Sequence, residues 1–157
     1  MPERDNKLEK TLVQNRRARH EYFFEELHET GIELFGTEVK SLRMGLANLG
    51  DAYAQVKNGE LILVSMHINP YEKGNIFNRE PMRPRRLLMH KREIRRLAGQ
   101  VQQQGYSLIP VRVYLKDNRV KVELALARGK KLYDKRDTDA ERTAKRDMER
   151  AFRDSAK

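Results

Sequence analysis

The strongest constraint on the fold is a hairpin pattern late in the chain, with apolar positions at a period of two in its second half. It lies in residues 106–129, YSLIPVRVYLKDNRVKVELALARG. A period of two is the period of a half-buried β-strand. In the second half of this stretch the apolar positions are Val120, Val122, Leu124 and Leu126. Asp117 and Asn118 separate the two runs, as in a two-residue turn, and we therefore expect an antiparallel hairpin.

A second hairpin is predicted from DAYAQVKNGELILVSMHI, where Asn58-Gly59 separates two β-compatible runs. The earlier stretch NRRARHEYFFEELHETGIELFG is rich in aromatic and aliphatic residues. It predicts either a strand pair or one long bent strand, in which Gly31 marks a bulge or turn.

Two segments have helical spacing. GTEVKSLRMG predicts a short helix with Thr37 as its N-cap and Gly45 at its end. In HKREIRRLAGQVQQQG an apolar stripe precedes a stop at Gly105.

Five or six short, mostly antiparallel strands with these helices favour a mainly β fold. We expect a small closed antiparallel OB-like β-barrel with two or three short helices. Separate α and β layers are the alternative. The predicted organisation is a polar segment 1–14, an OB-like barrel domain 15–128 and a basic C-terminal tail 129–157.

The charge balance favours a polyanionic partner. The 157 residues carry a formal net charge of +10, and 36% of them are charged. Such a surface suits nucleic acid or an acidic membrane surface, although a generically basic soluble protein has the same composition. The chain shows no apolar run near the roughly 18 residues of a membrane span, and no hydrophobic region near its start. We expect a cytoplasmic protein without a membrane partner.

Residues for catalysis are sparse. There is no cysteine, no H-E-x-x-H motif and no glycine-rich phosphate loop. HEYFFEELHE brings histidines and glutamates together, but acids on the wet side of a strand are commoner than a metal site. We expect no enzymatic activity, no metal and no cofactor.

Two clusters of cations favour RNA contact over a merely solvated face. The first precedes the first strand and consists of Arg16, Arg17 and Arg19. The second is opposed only by Glu93, and its seven cations cannot all be paired locally. Its members are Arg83, Arg85, Arg86, Lys91, Arg92, Arg95 and Arg96. Nearby, Tyr71 and Phe77 either stack on unpaired bases or pin their loop to the barrel.

The tail is too polar to join a core. Residues 128–157 contain 11 Lys/Arg and 7 Asp/Glu, by count. Disorder alone is one interpretation. However, Thr138 and Glu141 match a capping box, and ion pairs at i, i+4 follow. An isolated helix of this length is marginal in water, so we expect the tail to become helical when it is bound.

Four blocks together resemble the SmpB (SsrA-binding protein) family. They are NRRARHEYFFEE, GTEVKSLRMGLANLGDAY, RPRRLLMHKREI and GKKLYDKR, in this order and at these spacings. Members of the family are OB-fold proteins that bind the tRNA-like domain of tmRNA and carry it to stalled bacterial ribosomes. The resemblance implies these partners: tmRNA, small-subunit rRNA at the decoding centre, and, indirectly, EF-Tu with alanyl-tmRNA. It implies no reaction, and nothing in the sequence indicates more than a monomer.

The resemblance also implies a set of tmRNA-binding residues. Glu29, Leu88 and His90 match family positions of this kind, and the position of His90 is Asn in some members. Together with the basic clusters, the expected set is Glu29, Arg16, Arg17, Arg19, Arg83, Arg85, Arg86, Leu88, His90, Lys91 and Arg92.

For the tail, the resemblance implies entry into the decoding centre and the empty mRNA channel. Tyr133 falls where the family has a ring able to stack on a decoding base. Ala151-Phe152 departs from the bulkier aliphatic pair of some members. The expected ribosome-binding set is Gly129, Lys130, Lys131, Tyr133, Asp134, Lys135, Arg136, Arg142, Lys145, Arg146, Arg150 and Phe152.

Two other functions stay open on sequence grounds. A ribosomal protein would also be basic, with a tail threaded into rRNA. An RNA-processing enzyme would need a clustered acid or histidine site, which the sequence does not clearly show.

Overall fold

The computed structural model of the chain describes residues 9–74 and 78–130, together with Arg146. Three helices lie in these ranges: α1 (Arg16–Glu21), α2 (Gly36–Arg43) and α3 (Lys91–Gln104). The strands are β1 (Glu9–Gln14), β2 (Tyr22–Ile32), β3 (Ala47–Asn48), β4 (Tyr53–Lys57), β5 (Glu60–Val64), β6 (His67–Ile68), β7 (Arg85–Leu88), β8 (Ser107–Lys116) and β9 (Arg119–Gly129). None of the described helices is long and apolar enough to cross a membrane.

Seven strands form one antiparallel sheet that closes on itself. Their order is β1-β8-β4-β5-β7-β2-β9, and β9 pairs with β8 as well as with β2. β3 and β6 form a separate two-stranded sheet. The predicted closed, antiparallel OB-like barrel with two or three helices is confirmed.

Both predicted hairpin turns are confirmed. Asp117 and Asn118 have φ of 52° and 63°, and Asn58 and Gly59 have φ of 53° and 76°. Two successive positive φ angles define the turn whose twist matches the flanking strands. Asn, Asp and Gly tolerate this conformation best.

The barrel interior holds the main core, to which α3 contributes Ile94 and Leu97. A second, smaller cluster lies on the other face of β8 and β9. There Ala18 of α1 packs with four residues of these strands, Ile109, Val111, Ala125 and Ala127. The middle of the β8–β9 hairpin is therefore buried on both faces, and α1 is held against it.

One helix was not predicted, and two local predictions were wrong. Residues 16–21, which precede the predicted strand, form α1, because Ala18 gives the helix one buried face. The bulge of β2 lies between Phe24 and Glu26, whereas Gly31 stays in register. The N-cap of α2 is Phe35 and not Thr37, because the Glu38 carboxylate accepts a hydrogen bond from the Phe35 N–H at 3.0 Å.

The barrel also begins earlier than residue 15. β1 pairs with β8, so residues 9–14 of the predicted polar segment belong to the sheet. Val13 is buried, and Asn15 just beyond it donates hydrogen bonds to the Pro110 and Leu49 carbonyls at 3.0 and 3.4 Å. β1 is polar in sequence partly because its outward side chains Glu9 and Thr11 bind Arg112 of β8.

A buried carboxylate joins α2 to β7 and to the loop before it. Glu38 is 4% exposed and accepts hydrogen bonds from Arg83 and, at 2.7 Å, from Arg85. Arg85 is 1% exposed, and it also donates to the carbonyls of Met66 at 2.8 Å and Pro81 at 3.1 Å. This network fixes the start of β7 and the end of the loop before it.

The Glu38 carboxylate stays ionised in this site. Burial acts to raise its pKa, but hydrogen bonds from Arg83, the Phe35 N–H and Arg85 outweigh burial and lower the pKa below its usual value. A carboxyl whose pKa is lowered by folding stabilises the folded state above its unfolded pKa. That stabilisation is lost as the pH falls through the folded pKa.

We predict that Glu38→Gln lowers the free energy of unfolding by about 3–5 kcal/mol at pH 7, because it leaves two guanidinium groups without their carboxylate. In urea denaturation the difference from wild type should begin to shrink below about pH 4.5, the ordinary pKa of a glutamate, and should disappear as the pH falls through the lowered pKa of folded Glu38. The control is Glu33→Gln, which removes an exposed pair with Arg86 at 3.4 Å and should cost at most about 1 kcal/mol. Equal losses in both variants would contradict the prediction.

Candidate nucleic-acid interface

One row of residues crosses the outer face of five barrel strands. In register, Leu88 of β7 lies beside Gly31 of β2, which lies beside Lys121 of β9. The row continues through Tyr114 of β8 to Thr11 of β1. Strand pairing therefore brings together residues that are far apart in sequence.

Because Gly31 has no side chain, the Leu88 side chain can pack directly against its backbone. A Cβ atom at position 31 would lie 3.2 Å from the Cβ of Leu88 and 3.4 Å from its Cδ1. Leu88 remains 45% exposed although it is aliphatic. An exposed aliphatic side chain beside charged residues suits contact with a base or a sugar.

Glu29 lies two residues before Gly31 on β2, on the same face of the sheet, and its side chain contacts β8. Its Oε1 accepts a hydrogen bond from the Tyr114 hydroxyl at 2.5 Å and lies 3.4 Å from the Lys116 ammonium. The hydrogen bond from Tyr114 is the main cause that lowers the pKa of Glu29, and the lysines at 116 and 121 add to it. Glu29 is therefore an ionised, partly exposed carboxylate.

Sequence reasoning missed the β8 and β9 side of this face. Arg112, Tyr114 and Lys116 share one face by their spacing of two, which the alternation of β8 could have revealed. Their proximity to Glu29 depends on the β2–β9–β8 pairing, which carries no local signal.

The seven cations of the second basic cluster have two different roles. Four of them pair with glutamates from other elements: Arg83 and Arg85 with Glu38, Arg86 with Glu33 and Glu60, and Arg96 with Glu26. The sequence argument counted only local acids. Within residues 9–74 and 78–130, Lys91, Arg92 and Arg95 are exposed and form no ion pair.

Arg85 must be removed from the RNA-binding set, because its side chain is buried under Glu38. Arg83 is partly exposed, and its guanidinium is engaged by the same carboxylate and by the Phe35 ring at 4.7 Å. Arg86 is exposed beside two exposed carboxylates. His90 is the N-cap of α3, makes no side-chain capping bond and is exposed.

The first basic cluster lies on α1, where Arg16, Arg17 and Arg19 are all exposed. Arg16 and Arg17 line a groove of about 480 Å³ together with Asn48, Ser65 and His67. The guanidinium of Arg19 lies over the Phe24 ring at 5.4 Å. The cluster thus combines cations with hydrogen-bonding groups around an open groove.

The beginning of the tail lies against α1. Gly129 pairs with Tyr22, and Lys130 donates its N–H to the Glu21 carbonyl at 2.8 Å and its ammonium to the Arg19 carbonyl at 3.2 Å. The first basic cluster and the first tail residues therefore form one surface. Arg146 is exposed. The remaining predicted tail residues lie outside the described residues: Lys131, Tyr133, Asp134, Lys135, Arg136, Arg142, Lys145, Arg150 and Phe152.

For Tyr71 the structure favours the loop-pinning interpretation. Its N–H and carbonyl both bind the Asn78 side chain, at 2.9 and 2.8 Å, and the Lys40 ammonium lies over its ring. Phe77 lies outside the described residues.

In the histidine–glutamate segment of β2, Glu26 and His28 form contacts that join the strand to α3. Arg96 of α3 binds both carboxylate oxygens of Glu26 at 3.1 Å, and His28 lies 2.8 Å from one of them. Among the described residues, no group of three or more histidines and acids could hold a metal ion.

Comparison with known proteins identifies the family. The family model described as SmpB protein matches residues 12–154. The chain belongs to the SmpB family.

Similar members of the SmpB family cover nearly the whole chain. An SsrA-binding protein from Desulforudis audaxviator is 63% identical over 148 residues, which are 94% of this chain and 97% of the relative. One from Clostridium kluyveri is 59% identical over 145 residues, 92% of each chain. A chain in the solved structure "tmRNA-SmpB: a journey to the center of the bacterial ribosome" is 48% identical with a TM-score of 0.66, and the match covers 78% of this chain and 87% of that one.

We predict that Gly31→Ala lowers the free energy of unfolding by about 1 kcal/mol, because its Cβ would press on the Cβ of Leu88, which cannot rotate away. Gly99→Ala in α3 is the control. Outside the backbone of α3 itself and the two chain neighbours, no described atom would lie within 4 Å of a Cβ there, and the helix should gain up to about 1 kcal/mol. Chemical denaturation measures both changes, and a stabilising Gly31→Ala would refute the close approach.

Proposed function

We propose that this member of the SmpB family binds the tRNA-like domain of tmRNA (SsrA RNA) and delivers it to stalled bacterial ribosomes for trans-translation. The observation that carries the proposal is the 63% identity, over 94% of the chain, to an SsrA-binding protein. The protein acts by binding, without catalysing a reaction and without a metal or cofactor. Such a role belongs to the cytoplasm.

In this proposal the barrel holds the RNA through the exposed part of the predicted set. Cations that have no acidic partner in the part of the chain that the structure describes contact phosphates and release counterions, which gives affinity. These cations are Arg16, Arg17, Arg19, Lys91 and Arg92. Glu29, Leu88 and His90 contact bases and sugars, whereas Arg83, Arg85 and Arg86 support the strand and loop that present them.

The tail is proposed to work on the ribosome. From Gly129 and Lys130 onward it enters the decoding centre and the empty mRNA channel, where rRNA supplies the contacts that make it helical. EF-Tu joins through the alanylated tmRNA, and one copy of the chain suffices.

The direct test is to recover the tagged protein from cell extract and sequence the RNA that stays bound. A stable small RNA with a tRNA-like end supports the proposal. Recovery of small-subunit rRNA alone, in the absence of tmRNA, would replace it with a ribosomal-protein role.

We predict that Arg92→Ala weakens binding to the tRNA-like domain and reduces the slope of log K against log [salt] by about 1, because one phosphate contact is lost. Arg86→Ala serves as the matched comparison. Its two neighbouring carboxylates already neutralise it, so its effect on the slope should be smaller. Filter binding between low and moderate salt measures both slopes, and an unchanged slope for Arg92→Ala would assign Arg92 to a solvated face.

We predict that a chain ending at Lys130 keeps nearly all affinity for the tRNA-like domain but no longer supports peptide tagging on stalled ribosomes. The cut is placed after Lys130 because this residue still completes the contacts with α1. A chain ending at Arg128 should melt at a lower temperature, since it lacks these contacts. A large loss of RNA binding in the chain ending at Lys130 would contradict this division of labour.

A further inference from the structure

Tyr114 is a buried side chain on the outer face of the barrel, held by a hydrogen bond and a guanidinium. It is 3% exposed, and its hydroxyl donates to Glu29 at 2.5 Å. The Arg112 guanidinium lies 4.0 Å from the centre of the Tyr114 ring. The ring therefore has little freedom to rotate, and the direction of its hydroxyl bond is set.

Arg112 is itself held by three hydrogen-bond partners on the two neighbouring strands. It donates to Glu123 at 3.2 Å, to Thr11 Oγ1 at 3.2 Å and to Glu9 at 3.3 Å. These partners come from β9 and β1, the two strands that flank β8 at this point. Strand pairing thus fixes Arg112, which in turn holds Tyr114 against Glu29.

Both observed partners of Glu29 use the same oxygen. Oε1 binds Tyr114 and lies near Lys116, whereas Oε2 has no hydrogen bond or ion pair among the described residues. The Glu29 side chain is 40% exposed, so Oε2 is open to a ligand. An ionised carboxylate oxygen only accepts hydrogen bonds, and it repels phosphate.

We propose that Tyr114, supported by Arg112, is a positioning residue that fixes the Glu29 carboxylate so that its open oxygen accepts a hydrogen bond from an N–H or 2′-O–H donor of the bound RNA. This inference rests on the proposed function, because it concerns the same RNA-binding face. Glu29 would then recognise a base edge or a ribose, and the neighbouring cations would bind phosphates.

The chemistry of Tyr114 suits this role. Burial, together with the neighbouring Glu29 carboxylate, raises the pKa of the Tyr114 hydroxyl well above its ordinary value. The hydroxyl therefore stays protonated and donates at every pH at which RNA is stable. Phenylalanine would keep the packing under Arg112 but would leave Glu29 free to turn toward Lys116 alone.

The test measures binding of the tRNA-like domain of tmRNA to four proteins: wild type, Tyr114→Phe, Glu29→Gln and the double variant. Tyr114→Phe should weaken binding about tenfold, which is the effect of one charge-assisted hydrogen bond. The salt slope should not change, because no phosphate contact is lost. Tyr114→Phe should add little to the loss in Glu29→Gln, since both act through one carboxylate. Tyr106→Phe is the matched control and should bind like wild type.

A second readout uses the free protein. Carbon-13 NMR titration of the Glu29 carboxyl should show a higher pKa in Tyr114→Phe than in wild type, whereas Tyr106→Phe should leave it unchanged. The charged groups facing Glu29 are Lys116 from β8 and Lys121 and Glu123 from β9, and all remain in these variants.

The outcomes separate this inference from the proposed function. If wild type does not bind the tRNA-like domain, the proposed function fails. If wild type binds and Tyr114→Phe binds equally well, the positioning role is overturned. It is also overturned if the Tyr114→Phe loss is undiminished in the Glu29→Gln background, or if the Glu29 titration is unchanged.

Discussion

The structure depends most on the pairing of β9 along both of its edges. One edge binds β2 and the other binds β8, which closes the barrel. The same two ladders bring Glu29 opposite Glu123 and bring Glu123 opposite Arg112. They also carry the end of β9 to Tyr22, beside α1. Barrel closure, the carboxylate on the outer face and the start of the tail are therefore consequences of one strand.

The buried carboxylate of Glu38 gives two arginines of the second basic cluster a structural role. Glu38 pairs with the buried Arg85 and with Arg83. The stretch RPRRLLMHKREI therefore contains both cations that are paired within the fold and cations that are exposed to solvent. Those that precede and begin β7 stabilise the fold, and those on the first turn of α3 face solvent. Because buried ions persist only when they are paired, Glu38 decides the placement of Arg83 and Arg85, whereas Arg86 is held by the exposed carboxylates of Glu33 and Glu60.

Much of the fold was predictable, because hairpins and amphipathic helices are encoded locally. Asn58-Gly59 and Asp117-Asn118 specified their turns, and Gly105 specified the end of α3. The errors arose where distant residues decide. The helix at residues 16–21 depends on a cluster with β8 and β9, and the burial of Arg85 depends on an acid 47 residues earlier. Tyr114 became part of the candidate site only through strand register.

The contact of Lys130 with α1 couples two parts of the molecule energetically. The Tyr22–Gly129 pair ends the β2–β9 ladder, and ends of ladders open more readily than their centres. A ligand that binds α1 more tightly while this pair is formed would favour the closed end by the difference between its two binding free energies. By reciprocity, opening of the pair would weaken the binding of such a ligand. Occupancy of the helix and pairing of the last strand residue would then be linked without a change of overall shape.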